Sequence, residues 1–123
     1  MALRVLVVDD SPVTRVMLLE MLDLLGHKAV AEADAMDTAV EAYKNQKPDL
    51  VLLDLALTRG DGLSTLKGIR RIDGQARVLI ISGNPQQKIQ EEAMNSGALG
   101  FLSKPINMKE LSAALTRIGT EPR

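Results

Sequence analysis

Apolar runs end in carboxylates at two places in this chain. In VLVVDDSP, Val5 to Val8 lead into Asp9 and Asp10; in LVLLD, Leu50 to Leu53 lead into Asp54. A charge at the edge of a buried strand costs several kcal/mol unless a helix end, a cation or a partner compensates it. Two further apolar runs also end in polar groups, Val78 to Ile81 at Ser82 and Gly100 to Ser103 at Lys104. Three carboxylates in one crevice repel one another, and a hard divalent cation such as Mg²⁺ relieves that repulsion while leaving positions for water and phosphate oxygens. A carboxylate is also a nucleophile toward phosphorus, provided that the cation and a lysine neutralise the incoming phosphoryl group. Asp54, behind the most apolar run, suits the nucleophile. Asp9 and Asp10 then form the cation pair, Lys104 is the charge partner, and Ser82 donates its hydroxyl to a phosphoryl oxygen.

These residues meet only if the chain places all the strand ends on one edge. Short β-branched or leucine-rich runs alternate with stretches of helical period, the pattern of βαβ units. The strands read as Arg4 to Val8, Lys28 to Ala33, Leu50 to Leu53, Val78 to Ile81 and Gly100 to Ser103. The helices read as Pro12 to a Gly26 cap, about Thr38 to Gln46, Leu63 to Ile72, Pro85 to Ser96, and Met108 to Ile118. Thr38 to Glu41 and Asn107 to Glu110 have capping-box spacing, and Gly60 and Gly62 permit tight turns after Asp54. Four of the strands are apolar on both faces. The expected fold is therefore α/β: a three-layer sandwich with a five-stranded parallel sheet between five helices, and its ligand crevice beyond the carboxyl ends of the strands.

The 123 residues, 46% of them hydrophobic and 25% charged, suit a single domain over 1–123, with residues 118–123 as a tail or the start of a linker. A formal charge of −1 offers no basic excess for nucleic acid, and the absence of cysteine excludes disulfides and thiolate chemistry. The N-terminal apolar run is too short for a signal peptide or a membrane span, so a cytoplasmic location and no membrane partner are expected. Simpler roles exist for single residues. Asp10 or Ser11 could cap the first helix, Asp54 could serve a turn, Lys104 could be a solvated charge, His27 reads as a surface turn residue, and Met17 and Met21 read as core filler. Coincidence at successive strand ends favours the site.

VVDDS, LLDLALTRGDG with its Asp61-Gly62 pair, IISG and FLSKP stand in an order and spacing that resemble the receiver domains of two-component response regulators, of the single-domain, CheY-like type, over Leu3 to Ile118. The resemblance implies the flavodoxin-like strand order 2-1-3-4-5. It implies a Mg²⁺ site at Asp9, Asp10, Asp54 and the Ala56 backbone carbonyl, with Asp54 as phosphoacceptor and Ser82 and Lys104 as phosphoryl contacts. Ser82, Phe101 and Pro105 correspond to the switch, Pro105 through a cis peptide after Lys104, which proline makes accessible. The implied partners are a sensor histidine kinase or phosphotransfer protein and a downstream protein that binds the face formed by the fourth helix, fifth strand and fifth helix.

Two departures from the family pattern bear on the loops. Thr58 replaces the usual proline four residues after the phosphoacceptor, and Ser82-Gly83 replaces a frequent threonine-alanine pair; Ala56 and Asn84 flank the path of attacking water. Neither departure removes a chemical group. Two other readings are an aspartyl-phosphate-forming phosphohydrolase and a receiver fragment of a larger regulator. Such hydrolases commonly carry a general-acid aspartate two residues after the nucleophile, where this chain has Ala56.

Overall fold

A computed structural model describes residues 2–56, 61–83 and 86–120. The strands are β1 (Arg4–Val8), β2 (Lys28–Ala33), β3 (Leu50–Asp54), β4 (Val78–Ser82) and β5 (Gly100–Ser103). The helices are α1 (Pro12–Leu24), α2 (Met36–Gln46), α3 (Gly62–Ile72), α4 (Gln87–Asn95) and α5 (Met108–Thr120). All four strand pairings are parallel, in the order β2-β1-β3-β4-β5, as the resemblance implied.

Period-two alternation divides each central strand between two cores. Leu6 and Val8, Val51 and Leu53, and Val78 and Ile80 pack against Ala39 and Tyr43 of α2, Leu66 and Ile69 of α3, and Ala93 of α4. Val5 and Val7, Leu50 and Leu52, and Leu79 and Ile81 pack against Leu18 and Leu22 of α1 and Leu111, Leu115 and Ile118 of α5. Full burial on both faces explains why β3 and β4 read as continuous apolar runs. β2 lies at the edge and is only half-buried, hence its weaker signal.

Several boundaries differ from the sequence reading, each for a local reason. α2 begins at Met36, with Thr38 inside its first turn; the Thr38 hydroxyl accepts the Ala35 N–H at 3.2 Å, so the threonine reaches back as the third residue instead of starting the helix. Pro85, expected in the first turn of α4, lies outside the described residues, and α4 is observed from Gln87. α5 continues through Gly119 and Thr120, which the sequence assigned to the tail. Asn107 Oδ1 accepts from the N–H groups of Lys109 and Glu110 at 2.8 and 3.1 Å, the cap its type favours. Met17 is 41% exposed, so it is not core filler, whereas Met21 packs against the α1/α5 core.

Gly62 is required for close approach. A Cβ there would stand 2.3 Å from the Leu55 Cα and 2.5 Å from the Asp54 carbonyl oxygen, while its N–H donates to the Leu55 carbonyl at 3.0 Å. Asp61 caps the same helix by accepting the Ser64 N–H at 2.6 Å. The Asp-Gly pair therefore presses the start of α3 onto the exit of β3, directly behind Asp54. Because backbone cannot yield as a flexible side chain does, Gly62→Ala is expected to destabilise the domain by about 1–3 kcal/mol in urea unfolding. An unchanged midpoint would show that this contact carries no energy.

Candidate functional site

The site follows from strand register. Val8 pairs with Leu53, so the next residue of each strand, Asp9 and Asp54, stand side by side at the carboxyl edge. Ser82 closes β4 opposite Ser103 of β5, and Lys104 follows. Asp9 is 1% exposed, Asp54 4% and Ser82 5%, while Asp10 is half-buried. Asp9, Asp10 and Asp54 each bring a carboxylate oxygen within 4.8 Å of the others.

Lys104 binds this cluster at two points. Its Nζ donates to Asp9 Oδ2 at 2.9 Å and to Asp54 Oδ2 at 3.2 Å, so one ammonium bridges two buried carboxylates. The other oxygens are held by backbone: Asp9 Oδ1 accepts the Ser11 N–H at 2.8 Å, and Asp54 Oδ1 accepts the Ala56 N–H at 3.0 Å. Ser11 also caps α1, its hydroxyl accepting the Thr14 N–H at 3.3 Å. That resolves the choice between Asp10 and Ser11, and Asp10 is left to the acidic cluster.

Burial is the largest influence on Asp54 and raises its pKa above the ordinary carboxylate value; the Ala56 N–H and the Lys104 charge oppose the rise, and Asp9 adds to it. Lys104 loses by burial, but the Asp9 hydrogen bond and the charges of Asp54 and Asp9 more than offset that loss, so its pKa is raised. Asp54 is thus poised between two demands. Its depth disfavours charge, and the lysine retains it.

The donor set fits a hard divalent cation: three carboxylates converge within 4.8 Å, and one lysine bridges two of them, Asp9 and Asp54. At about 5 Å and an effective dielectric near 20, a pair of like charges repels by roughly 3 kcal/mol before screening, of which about 1 kcal/mol survives in a partly exposed cluster. Since the α1 cap is Ser11, Asp10→Asn leaves the cap intact. The variant is expected to be about 1 kcal/mol more stable than the parent without metal at pH 7, and to lose most of the stabilisation by Mg²⁺. Urea unfolding with and without saturating Mg²⁺ checks both halves, and a clear loss of metal-free stability would assign Asp10 to folding.

The other site residues fall nearby. Phe101 on β5 is half-buried against the α2/α3/α4 core, which leaves it partner to both core and surface. The Lys104-Pro105 peptide is cis, as the resemblance implied. At Gly83 a Cβ would meet the Lys104 stem at 3.6 and 3.8 Å, ordinary contact, so the alanine frequent in the family would fit. Thr58 and Asn84 lie outside the described residues. Arg15, which donates to the Asp9 carbonyl at 2.5 Å, was not singled out from sequence, because a lone arginine in a first helical turn carries no distinguishing pattern. His27 also does more than a surface turn residue: its Nδ1 accepts the Leu3 N–H at 3.0 Å.

Five parallel strands, two helical layers and an acidic crevice with a lysine at their carboxyl edge define a phosphoacceptor class of signalling domain. The family model for the response regulator receiver domain matches residues 5–116, and the chain belongs to that family. It is 38% identical over 117 residues to the chemotaxis protein CheY of Bacillus subtilis, covering 95% of this chain and 98% of that protein. Identity to the CheY of Thermotoga maritima is 35% over 118 residues, covering 96% and 98%. A chain of the CheX-CheY-BeF3-Mg complex from Borrelia burgdorferi superposes with a TM-score of 0.91 at 28% identity, covering 96% of this chain and 90% of that one. Receiver domains of this CheY-like kind are phosphoacceptors in two-component signalling. No helix among the described residues is long and apolar enough to cross a membrane.

Proposed function

We propose that this chain takes a phosphoryl group onto Asp54 from a phosphohistidine of a sensor kinase or phosphotransfer protein, in a Mg²⁺-dependent reaction, and thereby changes its affinity for a downstream protein. The observation that carries this reading is the Asp54 carboxylate itself: 4% exposed, at the end of a fully buried strand, with Lys104 Nζ at 3.2 Å and two further carboxylates within 4.8 Å. Asp9, Asp10, Asp54 and the Ala56 carbonyl would hold the cation, which when bound supplies positive charge to the phosphoryl oxygens. One Asp54 oxygen attacks phosphorus as the P–N bond to imidazole breaks; the bond electrons leave with the imidazole nitrogen, which takes a proton from water. Lys104 remains beside the new acyl phosphate and pairs with its oxygens. Ser82 donates its hydroxyl to another, and that movement draws on Phe101 through neighbouring β4 and β5.

The face formed by α4, β5 and α5 is the proposed output surface. The whole chain acts as one receiver unit in the cytoplasm, a reading supported by its near-complete coverage of the CheY relatives. Hydrolysis of external phosphate esters is disfavoured, because residue 56 presents only a methyl group where a general acid is needed.

Transfer of labelled phosphate from an autophosphorylated histidine kinase, with Mg²⁺ and then with a chelator, tests the reading. Labelling only with Mg²⁺ is expected; failure to accept phosphate from either phosphohistidine or a small phosphodonor would overturn it. Ser82→Ala is expected to leave Mg²⁺ affinity within a few-fold while weakening the phosphorylation-driven change in the Phe101 signals by NMR. Loss of metal binding as large as that of Asp10→Asn would show that the roles are wrongly divided.

A further inference from the structure

Asp9 is held at every polar atom. Its N–H donates to the Ala33 carbonyl at 3.0 Å, Oδ1 accepts from Ser11 and Oδ2 from Lys104, and its carbonyl oxygen accepts from Arg15 Nη1 at 2.5 Å. The first three bonds belong to the extension of the sheet, the helix entry and the acidic site. The fourth has no role in any of them.

Arg15 lies in the first turn of α1, where its own N–H donates to the Ser11 carbonyl at 3.0 Å. Its guanidinium reaches outward from there to the edge strand, Nε donating to Glu32 Oε1 at 3.3 Å on β2. The Arg15 side chain is 20% exposed and that of Glu32 47%, so the ion pair itself contributes little and mainly orients the fork. The bond to the Asp9 carbonyl is different in kind. That oxygen belongs to the planar peptide unit joining Asp9 to Asp10, so fixing it fixes the direction in which the chain enters Asp10. With the Asp9 side chain tied at both oxygens and its following peptide tied by a charged donor, the Asp10 carboxylate is presented toward Asp54 by a frame with little rotational freedom.

We infer that Arg15 is a positioning residue for the acidic pair, acting through the Asp9-Asp10 peptide and oriented by Glu32. The inference rests on the proposal that Asp9, Asp10 and Asp54 hold Mg²⁺. Partners one step removed from a metal commonly set its affinity by orienting the ligands, with effects of about 10–100-fold. Arg15 does so through backbone, leaving the carboxylates themselves free of it.

Titration of Mg²⁺ into the folded protein, followed by backbone amide NMR, tests this. Arg15→Met keeps the packed stem and removes the fork; Mg²⁺ affinity should fall by about tenfold, with the Asp10 and Ser11 amides already displaced in the metal-free spectrum. Arg15→Lys retains a cation able to reach the Asp9 carbonyl and should recover affinity to within about threefold of the parent. Glu32→Ala should cost about twofold. A purely structural arginine would lower the urea midpoint but leave the Mg²⁺ affinity of the folded protein in place. Arg15→Met within about twofold of the parent, or Arg15→Lys no better than Arg15→Met, overturns the inference. If Arg15→Met gives no folded spectrum, Arg15→Gln takes its place under the same criteria. A parent protein with no Mg²⁺-dependent shifts at Asp9, Asp10 and Asp54 would overturn the proposed function and this inference together, whereas normal binding by the parent with an indifferent Arg15→Met overturns this inference alone.

Discussion

Asp54→Asn is expected to abolish phosphorylation by a small phosphodonor in Mg²⁺, with the parent protein gaining one phosphoryl group by mass spectrometry and the variant none. The change is nearly isosteric. An amide nitrogen or neutral carbonyl replaces the carboxylate oxygens that accept from Ala56 and Lys104, so the packing at the end of β3 is expected to survive while the proposed nucleophile is removed. Nearby carboxylates do not substitute. Asp9 is 1% exposed with its oxygens engaged by Ser11 and Lys104, and attack from it would require both bonds to be released together. Asp10 sits at the helix entry, beyond the strand edge, half-buried within the acidic cluster and not at the end of a buried strand. The expected loss is therefore complete at the resolution of the measurement, since the chemistry has no second route. Label that persists in Asp54→Asn, or that appears in full on the parent without divalent cation, would defeat the assignment.

How much of this was legible in the sequence depends on what each residue answers to. The buried strands answer to burial on both faces, which writes itself as unbroken apolar runs; β3 and β4 were found to within one residue, each extending to include the polar residue at its end. Helix starts answer to competing local bonds. Thr38 was read as a cap from its type and spacing, but the hydroxyl works equally well from inside the first turn, and only the chain around Ala35 decides between them. Gly62 was legible as a glycine that matters, though the physical reason is its close approach to the Leu55 and Asp54 backbone, a distance that residue types and spacing do not specify. The site shows the same division. Residue types at strand ends gave Asp9, Asp10, Asp54, Ser82 and Lys104, and the resemblance supplied their order. What was hidden is which carboxylate Lys104 prefers, because the answer depends on an ammonium crossing between strands that are far apart in sequence. Repulsion between carboxylates is by itself enough to raise a pKa, yet at Asp54 burial is the larger cause and the Asp9 charge a lesser one.

The lysine geometry changes what removing Lys104 should do. A lysine that contacts only an incoming phosphoryl group would leave resting stability and Mg²⁺ affinity nearly untouched. Here its Nζ lies 2.9 Å from Asp9 Oδ2 and 3.2 Å from Asp54 Oδ2, so it already fills part of the cation's electrostatic role in the metal-free protein. Lys104→Met retains most of the stem and removes the charge, leaving two carboxylates buried together. Breaking a buried pair in this way costs about 3–5 kcal/mol. Protonation sets a ceiling, because a carboxyl with a pKa near 4 can be neutralised at pH 7 for about 4 kcal/mol. A loss of about 2–4 kcal/mol is therefore expected in metal-free urea unfolding at pH 7. The pH dependence has a definite sign. The raised folded-state pKa of Lys104 means that its stabilising contribution is fully present below the ordinary lysine value of 10.5 and is lost only as pH rises through the higher folded value. Asp54 is also raised, so its neutral form is favoured in the fold, and the penalty for its charge grows as pH rises through the raised value and fades toward the ordinary 3.8. The gap between Lys104→Met and the parent should accordingly be wide at neutral pH and narrow in acid, where protonated carboxylates no longer need the ammonium. Saturating Mg²⁺ should close most of the same gap at pH 7, because the cation binds the folded state alone and no longer competes with lysine for Asp9. If Lys104→Met matches the parent without metal and binds Mg²⁺ more weakly, the ammonium is not the resting counter-ion of the pair, and its place in the site is limited to the phosphorylated state.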